Sequence, residues 1–351
     1  MARVVCVGRG FPDHYYSQEE LVAALTERWS SRHRNVARLA QVHRNVMVGG
    51  RHLALPIEGY EALTDFTAAN DAFIEVGLNV GERAVRAALA EADLEPSSID
   101  HIFFVSVTGI ATPSLDARLI NRVGFRRDIK RTPIFGLGCV AGAAGVARVF
   151  DYLRAYPNHR ALLVSVELCS LTLQREDLSV PNIVASGLFG DGGACVVMEG
   201  EAIARASRPR VVATKSNFYP NTEEVMGWRI GSSGFRVVLS ADVPKVAQEN
   251  IGGDVRAFLV EQGLGLADIG TFVCHPGGPK VLEAFETALA LNKDELRLTW
   301  ESLRSVGNLS SASVLMVLAD TLEKTTPEPG SYGLMLAMGP GFCSELVLLQ
   351  W

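Results

Sequence analysis

The sequence predicts an α/β fold assembled from two related halves, and three observations carry that expectation. Apolar, β-branched runs of strand length alternate with segments of helical periodicity, the pattern of a layered α/β architecture. The 351 residues are 48% hydrophobic and 21% charged with 33 glycines, the balance of a close-packed globular chain large enough to bury a sizeable core. The layout also repeats. The helix end, acidic turn and buried strand of "EADLEPSSIDHIFFVSVTG" return in "EQGLGLADIGTFVCHPGG". The turn, small-residue helix, Pro-containing loop and strand of "FGLGCVAGAAGVARVFDYLRAYPNHRALLVSVEL" return in "SVGNLSSASVLMVLADTLEKTTPEPGSYGLMLAMG". Phe103 and Phe272 are 169 positions apart, and so are Gly138 and Gly307.

In chain order, helical spacing marks 17–29 and 61–94, and the run "HIFFVSVT" marks a strand at 101–108. A glycine turn opens a helix at 140–155 that stops before Pro157, and "ALLVSVEL" gives a strand at 161–168. Strands follow at 193–199, 210–216 and 234–240, then a helix at 245–263 and a strand at 271–275. Helices at 279–291 and 309–324 and strands at 332–338 and 344–350 complete the chain. The halves divide at 1–205 and 206–351.

Composition excludes several classes of function. The net charge is −6, and basic residues cluster only briefly between Arg28 and Arg34, so nothing tracks a nucleic-acid backbone. Runs such as "HIFFV" and "ALLVSV" fall far short of the roughly 18 apolar residues that a membrane helix needs. "MARVVCVGRG" has neither the apolar region nor the cleavage site of a secretory leader, so a cytoplasmic protein is expected.

The six cysteines, Cys6, Cys139, Cys169, Cys195, Cys274 and Cys343, show no metal-ligand spacing, and most lie in apolar runs where cysteine acts as a small hydrophobe. Cys139 differs, because "FGLGCVAGAAG" places it in a glycine turn at the start of a helix of small residues. A helix N-terminus favours the thiolate, and Gly136 and Gly138 let a carbonyl approach backbone N–H groups. The turn alone is equally consistent with a packing cysteine. The repeat adds two partners: Asn308 occupies the place equivalent to Cys139, and His275 ends the strand whose first-half counterpart holds Ser106. Taken singly, Asn308 is a helix cap and His275 a structural histidine; together, Cys, His and Asn form a set suited to acyl transfer.

"GLGCVAGAAG", "VELCSLTLQ", "LFGDGGACVV", "CHPGGPKVL", "GNLSSASVL" and "AMGPGFCSELVLL" together resemble the type III polyketide synthases, the chalcone-synthase-like branch of the thiolase superfamily. The resemblance spans nearly the whole chain and implies a thiolase-like, five-layered αβαβα fold and a homodimer. It assigns the nucleophile to Cys139, with His275 and Asn308 as its catalytic partners. It places gatekeeper phenylalanines at Phe189 and Phe235, and the loop shaping the cyclisation cavity at Gly339, Pro340 and Gly341. Gly277 and Gly278 would let pantetheine pass, and Arg44 and Arg51 would meet CoA phosphates unless they form only a solvated basic loop. His275 as imidazolium would hold Cys139 as thiolate for attack on an acyl-CoA. No metal or flavin is implied; malonyl-CoA and acyl-CoA are substrates.

Within that family, "FYPNTEEVMGWRIGSSGFRVVLSADVP" resembles the bacterial enzymes that extend long-chain acyl-CoA to alkylpyrones or alkylresorcinols, with Thr108, Thr112 and Cys169 at the mouth of an acyl tunnel. The tetrahydroxynaphthalene-forming branch carries a tyrosine where this chain has Met226, so the malonyl-primed reading is the alternative. An acyl carrier protein or a fatty-acid synthase is a possible starter donor. A ketosynthase of the fatty-acid-initiating type is disfavoured by "HPGG" in place of H-Q-A-N at the histidine, and an acyl-CoA thioester hydrolase by the repeat. A silent acyl-binding paralogue would be expected to lack Cys139 or His275.

Overall fold

The computed structural model describes residues 1–29, 36–204 and 208–351, so most of the basic cluster after Arg28 and the boundary expected at 205/206 lie outside the described residues. The first half runs β1 (Ala2–Gly10), β2 (His14–Ser17), α1 (Gln18–Trp29), α2 (Val36–Asn45), β3 (Gly50–Leu53), α3 (Phe66–Ala92) and β4 (His101–Val105). It continues with α4 (Leu115–Val123), β5 (Lys130–Ile134), α5 (Ala141–Ala155), β6 (Arg160–Leu168), α6 (Val180–Leu188) and β7 (Asp191–Gly200). The second half runs β8 (Arg210–Phe218), β9 (Met226–Gly231), β10 (Gly234–Leu239), α7 (Val243–Glu261), β11 (Ile269–Cys274) and α8 (Pro279–Leu289). It ends with α9 (Arg297–Val306), α10 (Ser313–Lys324), β12 (Tyr332–Gly339) and β13 (Cys343–Gln350).

Nine strands form one mixed sheet in the order β11-β12-β13-β8-β1-β7-β6-β4-β5. The halves join where β1 meets β8, at the pairs Ala2 with Val211 and Arg3 with Arg210. Each half contains a parallel pair continued by an antiparallel strand: β4·β6·β7 in the first, β11·β12·β13 in the second. The repeat read in the sequence is thus a repeat of pairing. Among the described strands of this sheet, β5 alone lacks a counterpart, because the chain forms α9 at the corresponding stage of the second half.

Side-chain alternation along the strands builds the layers. Phe103, Leu163 and Val196 of the first half and Met335 and Val347 of the second face a shared core with Val146, Val149 and Phe150 of α5 and Val314, Leu315 and Leu318 of α10. The alternate residues Ile102, Phe104, Leu162 and Val164 pack under Val80, Ala84, Leu115 and Leu119 of α3 and α4. Phe272, Leu334, Leu336 and Leu348 pack under Ile251, Val255, Leu282 and Phe285 of α7 and α8. The α5/α10 pair is therefore the middle of five layers.

Some expected elements change. The strand at 101–108 ends at Val105, because Ser106, Val107 and Thr108 turn to hydrogen-bond the Glu167 carboxylate. The helix at 61–94 is a 3-10 turn, Ile57–Ala62, followed by α3, whose N-terminus is set by the Asp65 carboxylate accepting from Ala68 N at 2.9 Å. Strands β1, β2, β3, β5 and β9 and helices α2, α4, α6 and α9 are additions to the reading. No helix among the described residues is long and apolar enough to cross a membrane.

Candidate active site

Two glycine turns deliver the central side chains. Gly138, at φ +55°, leads into a 3-10 turn, Gly138–Val140, that carries Cys139 at the head of α5. Gly307, at φ +74°, precedes Asn308, and the 3-10 turn Ser310–Ala312 leads into α10. Each half thus brings a short 3-10 turn to the same place: the first carries Cys139 within the turn, and the second has Asn308 two residues before its turn, at Ser310 (φ +50°). Cys139 Sγ lies 3.7 Å from Ser310 Oγ, and the Asn308 side chain is near enough to favour the thiolate.

The Asn308 amide is oriented by its own surroundings. Its Oδ1 accepts from Ser310 N at 2.8 Å, and its Nδ2 donates toward Gly277 O at 3.4 Å. Its backbone is held between Leu188 O (2.9 Å) and Gly190 N (3.0 Å), which places Phe189 directly alongside. His275 follows β11 and continues its pairing by donating from N to Leu336 O at 2.8 Å. The His275 carbonyl accepts from Gly277 N at 2.9 Å, so Gly277 links the histidine to Asn308. His275 is buried, and its Nδ1 has no hydrogen-bond partner among the described residues.

Burial governs the charges. It pushes the Cys139 thiol up to about 12, with the Ser310 and Asn308 contacts pulling down and the Glu167 charge pushing up. Burial likewise pulls the His275 imidazole down to about 3. Taken singly, each group is thus pushed by burial toward its neutral form. A buried single charge is costly, whereas moving the thiol proton to the imidazole creates two opposite charges that offset each other's desolvation.

The Gly339–Gly341 loop packs on the turn that carries Cys139: a Cβ on Gly138 would stand 2.6 Å from the Pro340 ring, and one on Gly339 2.6 Å from Val140 N. Gly341 has φ +119°. Gly278, at φ +132°, lies against Leu188. Phe235 is buried on β10 with its ring edge-on to Phe66 and Trp228, and the half-buried Met226 opens β9. Phe189 and Cys169 line an apolar pocket completed by Leu21 and Leu25 of α1, Tyr60, Trp228 and Val237. Thr108 donates to Glu167 at 2.8 Å.

Two expectations are corrected. Arg51 is 3% exposed, and its guanidinium donates to Gln18 Oε1 (2.5 Å), Gly187 O (2.6 Å) and Ser186 O. It braces the end of α6 and borders the pocket of Cys169 and Phe189 rather than open solvent, where a CoA phosphate was expected to meet it. Thr112 is exposed and lines a different cavity, with Ile110, Pro113 and Phe135 beside the edge strand β5, away from the pocket of Cys169 and Phe189. Arg44 is exposed at the end of α2, donating to Gln41 at 2.9 Å. The reading missed Glu167, Ser310 and Ser311. Their signals were a lone acid in the apolar run "ALLVSVEL" and the serines of "NLSSAS".

A thiol at a glycine turn beside the Asn308–Ser310 turn, to which Gly277 links the buried His275, is a set of groups suited to thioester chemistry. The chain belongs to the chalcone and stilbene synthases, the type III polyketide synthases: the family's N-terminal domain matches residues 1–202 and its C-terminal domain residues 210–351. It is 51% identical over 350 residues to the 1,3,6,8-tetrahydroxynaphthalene synthase of Streptomyces peucetius subsp. caesius, covering 99% of this chain and 93% of that one. It is 37% identical over 363 residues to a putative chalcone synthase of Bacillus subtilis (strain 168), covering 100% and 99%. The solved 1,3,6,8-tetrahydroxynaphthalene synthase of Streptomyces coelicolor A3(2) superposes with a TM-score of 0.92 at 30% identity, covering 99% of both chains. The protein is therefore an acyltransferase of the malonyl-CoA-condensing kind. These likenesses favour the naphthalene branch over the long-chain branch expected from the sequence.

Proposed function

We propose that this enzyme is primed by malonyl-CoA and forms a tetrahydroxynaphthalene-type product. The observation that carries the reading is the 51% identity to a synthase of that product along essentially the whole chain. The chemistry follows from the site. Cys139 Sγ attacks the starter thioester as its proton passes to His275, and the departing CoA sulfur takes that proton, so His275 is neutral again. A malonyl-CoA thioester oxygen then accepts from the imidazole N–H and the Asn308 amide. Carbon dioxide leaves, the enolate is stabilised by those donors, and its carbon attacks the acyl group on Cys139, breaking the C–S bond so that the Cys139 thiolate is released and the lengthened chain remains on CoA. A histidine that burial holds toward its neutral form still carries one ring N–H to donate to that oxygen.

A second reading, extension of a longer acyl-CoA to an alkylpyrone or alkylresorcinol, is supported by the apolar pocket that runs from Cys169 and Phe189 to α1. One experiment separates the two. Purified protein and Cys139→Ala are given malonyl-CoA alone and with starters from acetyl-CoA to a long-chain acyl-CoA, and products are read by mass spectrometry. Tetrahydroxynaphthalene from malonyl-CoA alone, absent in the variant, is the expected result. Products appearing only with long starters favour the second reading. Release of free acid without malonyl consumption would return the hydrolase.

A further inference from the structure

The hairpin of β9 and β10 stands outside the main sheet: its strands pair only with each other, Gly234 with Gly231 and Phe235 with Ile230. A two-stranded ribbon is marginally stable by itself, so its place in the molecule is set by what its side chains and its turn are tied to. That place matters to the site. Trp228 and Val237 of the hairpin line the apolar pocket together with Asn182 and Ala185 of α6 and Phe189 just beyond it. Phe235 lines a smaller cavity with Phe66, Thr108 and Leu171.

One side chain fastens the turn. Gln174, in the loop between β6 and α6, donates from Nε2 to Ser233 O at 3.0 Å and Phe235 O at 3.1 Å, with Thr172 O at 3.3 Å as a weaker third acceptor. Ser233 and Phe235 flank Gly234, whose φ of +93° starts β10. The backbone of Gln174 is held in turn. Its carbonyl accepts from Asn182 Nδ2 at 2.8 Å, and the same amide donates to Asp177 O at 2.6 Å. Asn182 is buried on α6, the helix that runs into Phe189. Gln174 thus connects the two phenylalanines expected as gatekeepers: its side chain reaches Phe235, and its carbonyl reaches the helix before Phe189. A second tie between hairpin and loop, the Arg236–Asp177 ion pair, spans 3.7 Å with the arginine 60% exposed and carries little weight.

We propose that Gln174 is a positioning residue that sets specificity: it latches the turn of the hairpin, fixes the wall against which the growing chain packs, and so sets how many extensions precede release. The role rests on the reading that the chain grows in the pocket of Phe189 and Trp228. Gln174 is half-buried, so without its amide the Ser233 and Phe235 carbonyls can turn to water and the hairpin can leave the pocket. A chain beside a moving wall is no longer held in one conformation, and release competes with further extension. The side-chain bonds of Gln174 go to Thr172, Ser233 and Phe235 rather than to Cys139, His275 or Asn308, so its loss should change what is made more than how fast malonyl-CoA is consumed.

The test compares the products of Gln174→Leu, which keeps the bulk of the side chain and removes its N–H donors, with those of Gln174→Arg, whose N–H groups can serve the same carbonyls. Mass spectrometry reads the wild type's principal product against shorter polyketides, and malonyl-CoA consumption is measured beside it. In the leucine variant that ratio should fall roughly fivefold, the weight of one ordinary hydrogen bond, with consumption near the wild-type rate. The arginine variant should restore the ratio. An unchanged ratio in the leucine variant overturns the proposal, as do equal defects in both variants. A fall in consumption with the ratio unaltered overturns it too, because loss of stability alone gives that result. Gln174→Ser, too short to reach either carbonyl, is read in the same way if the leucine variant fails to fold. Each ratio refers to the wild type's own principal product, so a wild type that requires a long starter overturns the malonyl-primed reading and leaves this test standing.

Discussion

Asn308 and Cys139 owe their meeting to residues that never touch substrate. Gly138 is the clearest case: its φ of +55° belongs to the left-handed region, and its missing side chain leaves room for the Pro340 ring. In Gly138→Ala, a Cβ 2.6 Å from that ring must push the Gly339–Gly341 loop away or rotate the turn that holds Cys139. A displacement of about 1 Å in a reacting group costs on the order of a hundredfold in rate. Turnover of malonyl-CoA should therefore fall on that order while the protein stays folded, as circular dichroism would check; unchanged turnover would show that the turn tolerates a side chain. The nearness of Cys139 and the Asn308 turn was legible because the repeat singled out a glycine turn before a small-residue helix in each half, although the structure aligns the two turns through Ser310 rather than Asn308. Arg51 was misread because sequence displays a positive charge but not the three acceptors, at Gln18, Ser186 and Gly187, that enclose it. Glu167 and Ser311 were invisible for a related reason, since their bond joins residues 144 positions apart.

Strand β5 shows what periodicity could and could not reveal about elements. The double-faced strands β4, β6, β12 and β13 declare themselves as apolar runs, but "KRTPI" carries two charges and a proline and reads as loop. It is a strand because β4 offers a parallel partner, and it forms the sheet edge, where such residues are tolerated. Helices α4, α6 and α9, of nine or ten residues, were too short to establish a helical period against their neighbours. The edge also bears on assembly. Pro133 lacks an N–H, so an edge-to-edge ladder would be interrupted there, yet Phe135 (54% exposed) and Ile110 (42%) leave large apolar side chains beside the strand. We propose that the homodimer implied by the family resemblance would bury this patch by side-chain packing. Sedimentation should give twice the chain mass for the wild type and one chain mass for Phe135→Glu; a variant that remains dimeric would move the interface elsewhere.

Taken as a whole, the molecule sets buried histidines against buried carboxyls. Burial pulls His43 and His101 down to about 4 and His275 to about 3, from an ordinary 6.5; the Arg51 charge adds to this at His43, and the Lys130 charge at His101. Between those values and 6.5 the unfolded chain binds more protons at each histidine, so these groups make stability fall as pH falls. Glu167, raised from 4.5 to about 7, and Asp191, raised from 3.8 to about 6, behave oppositely. The folded chain holds their protons through those windows, so they make stability rise as pH falls. The two sets overlap and oppose, which predicts a Tm nearly level between pH 7 and 5. The balance can be tilted at His101, which stacks on Phe103 at 4.2 Å and is edge-on to Tyr152. Phenylalanine keeps those ring contacts and loses the 2.8 Å bond from Nε2 to Thr132. His101→Phe should therefore cost some stability at pH 7 but regain on the order of 2 °C relative to the wild type at pH 5, where the unfolded wild type gains a proton and the variant does not. Calorimetry at the two pH values reads this directly. A difference between variant and wild type that is the same at both would mean that the folded protein accepts a proton on His101 as readily as the unfolded chain does.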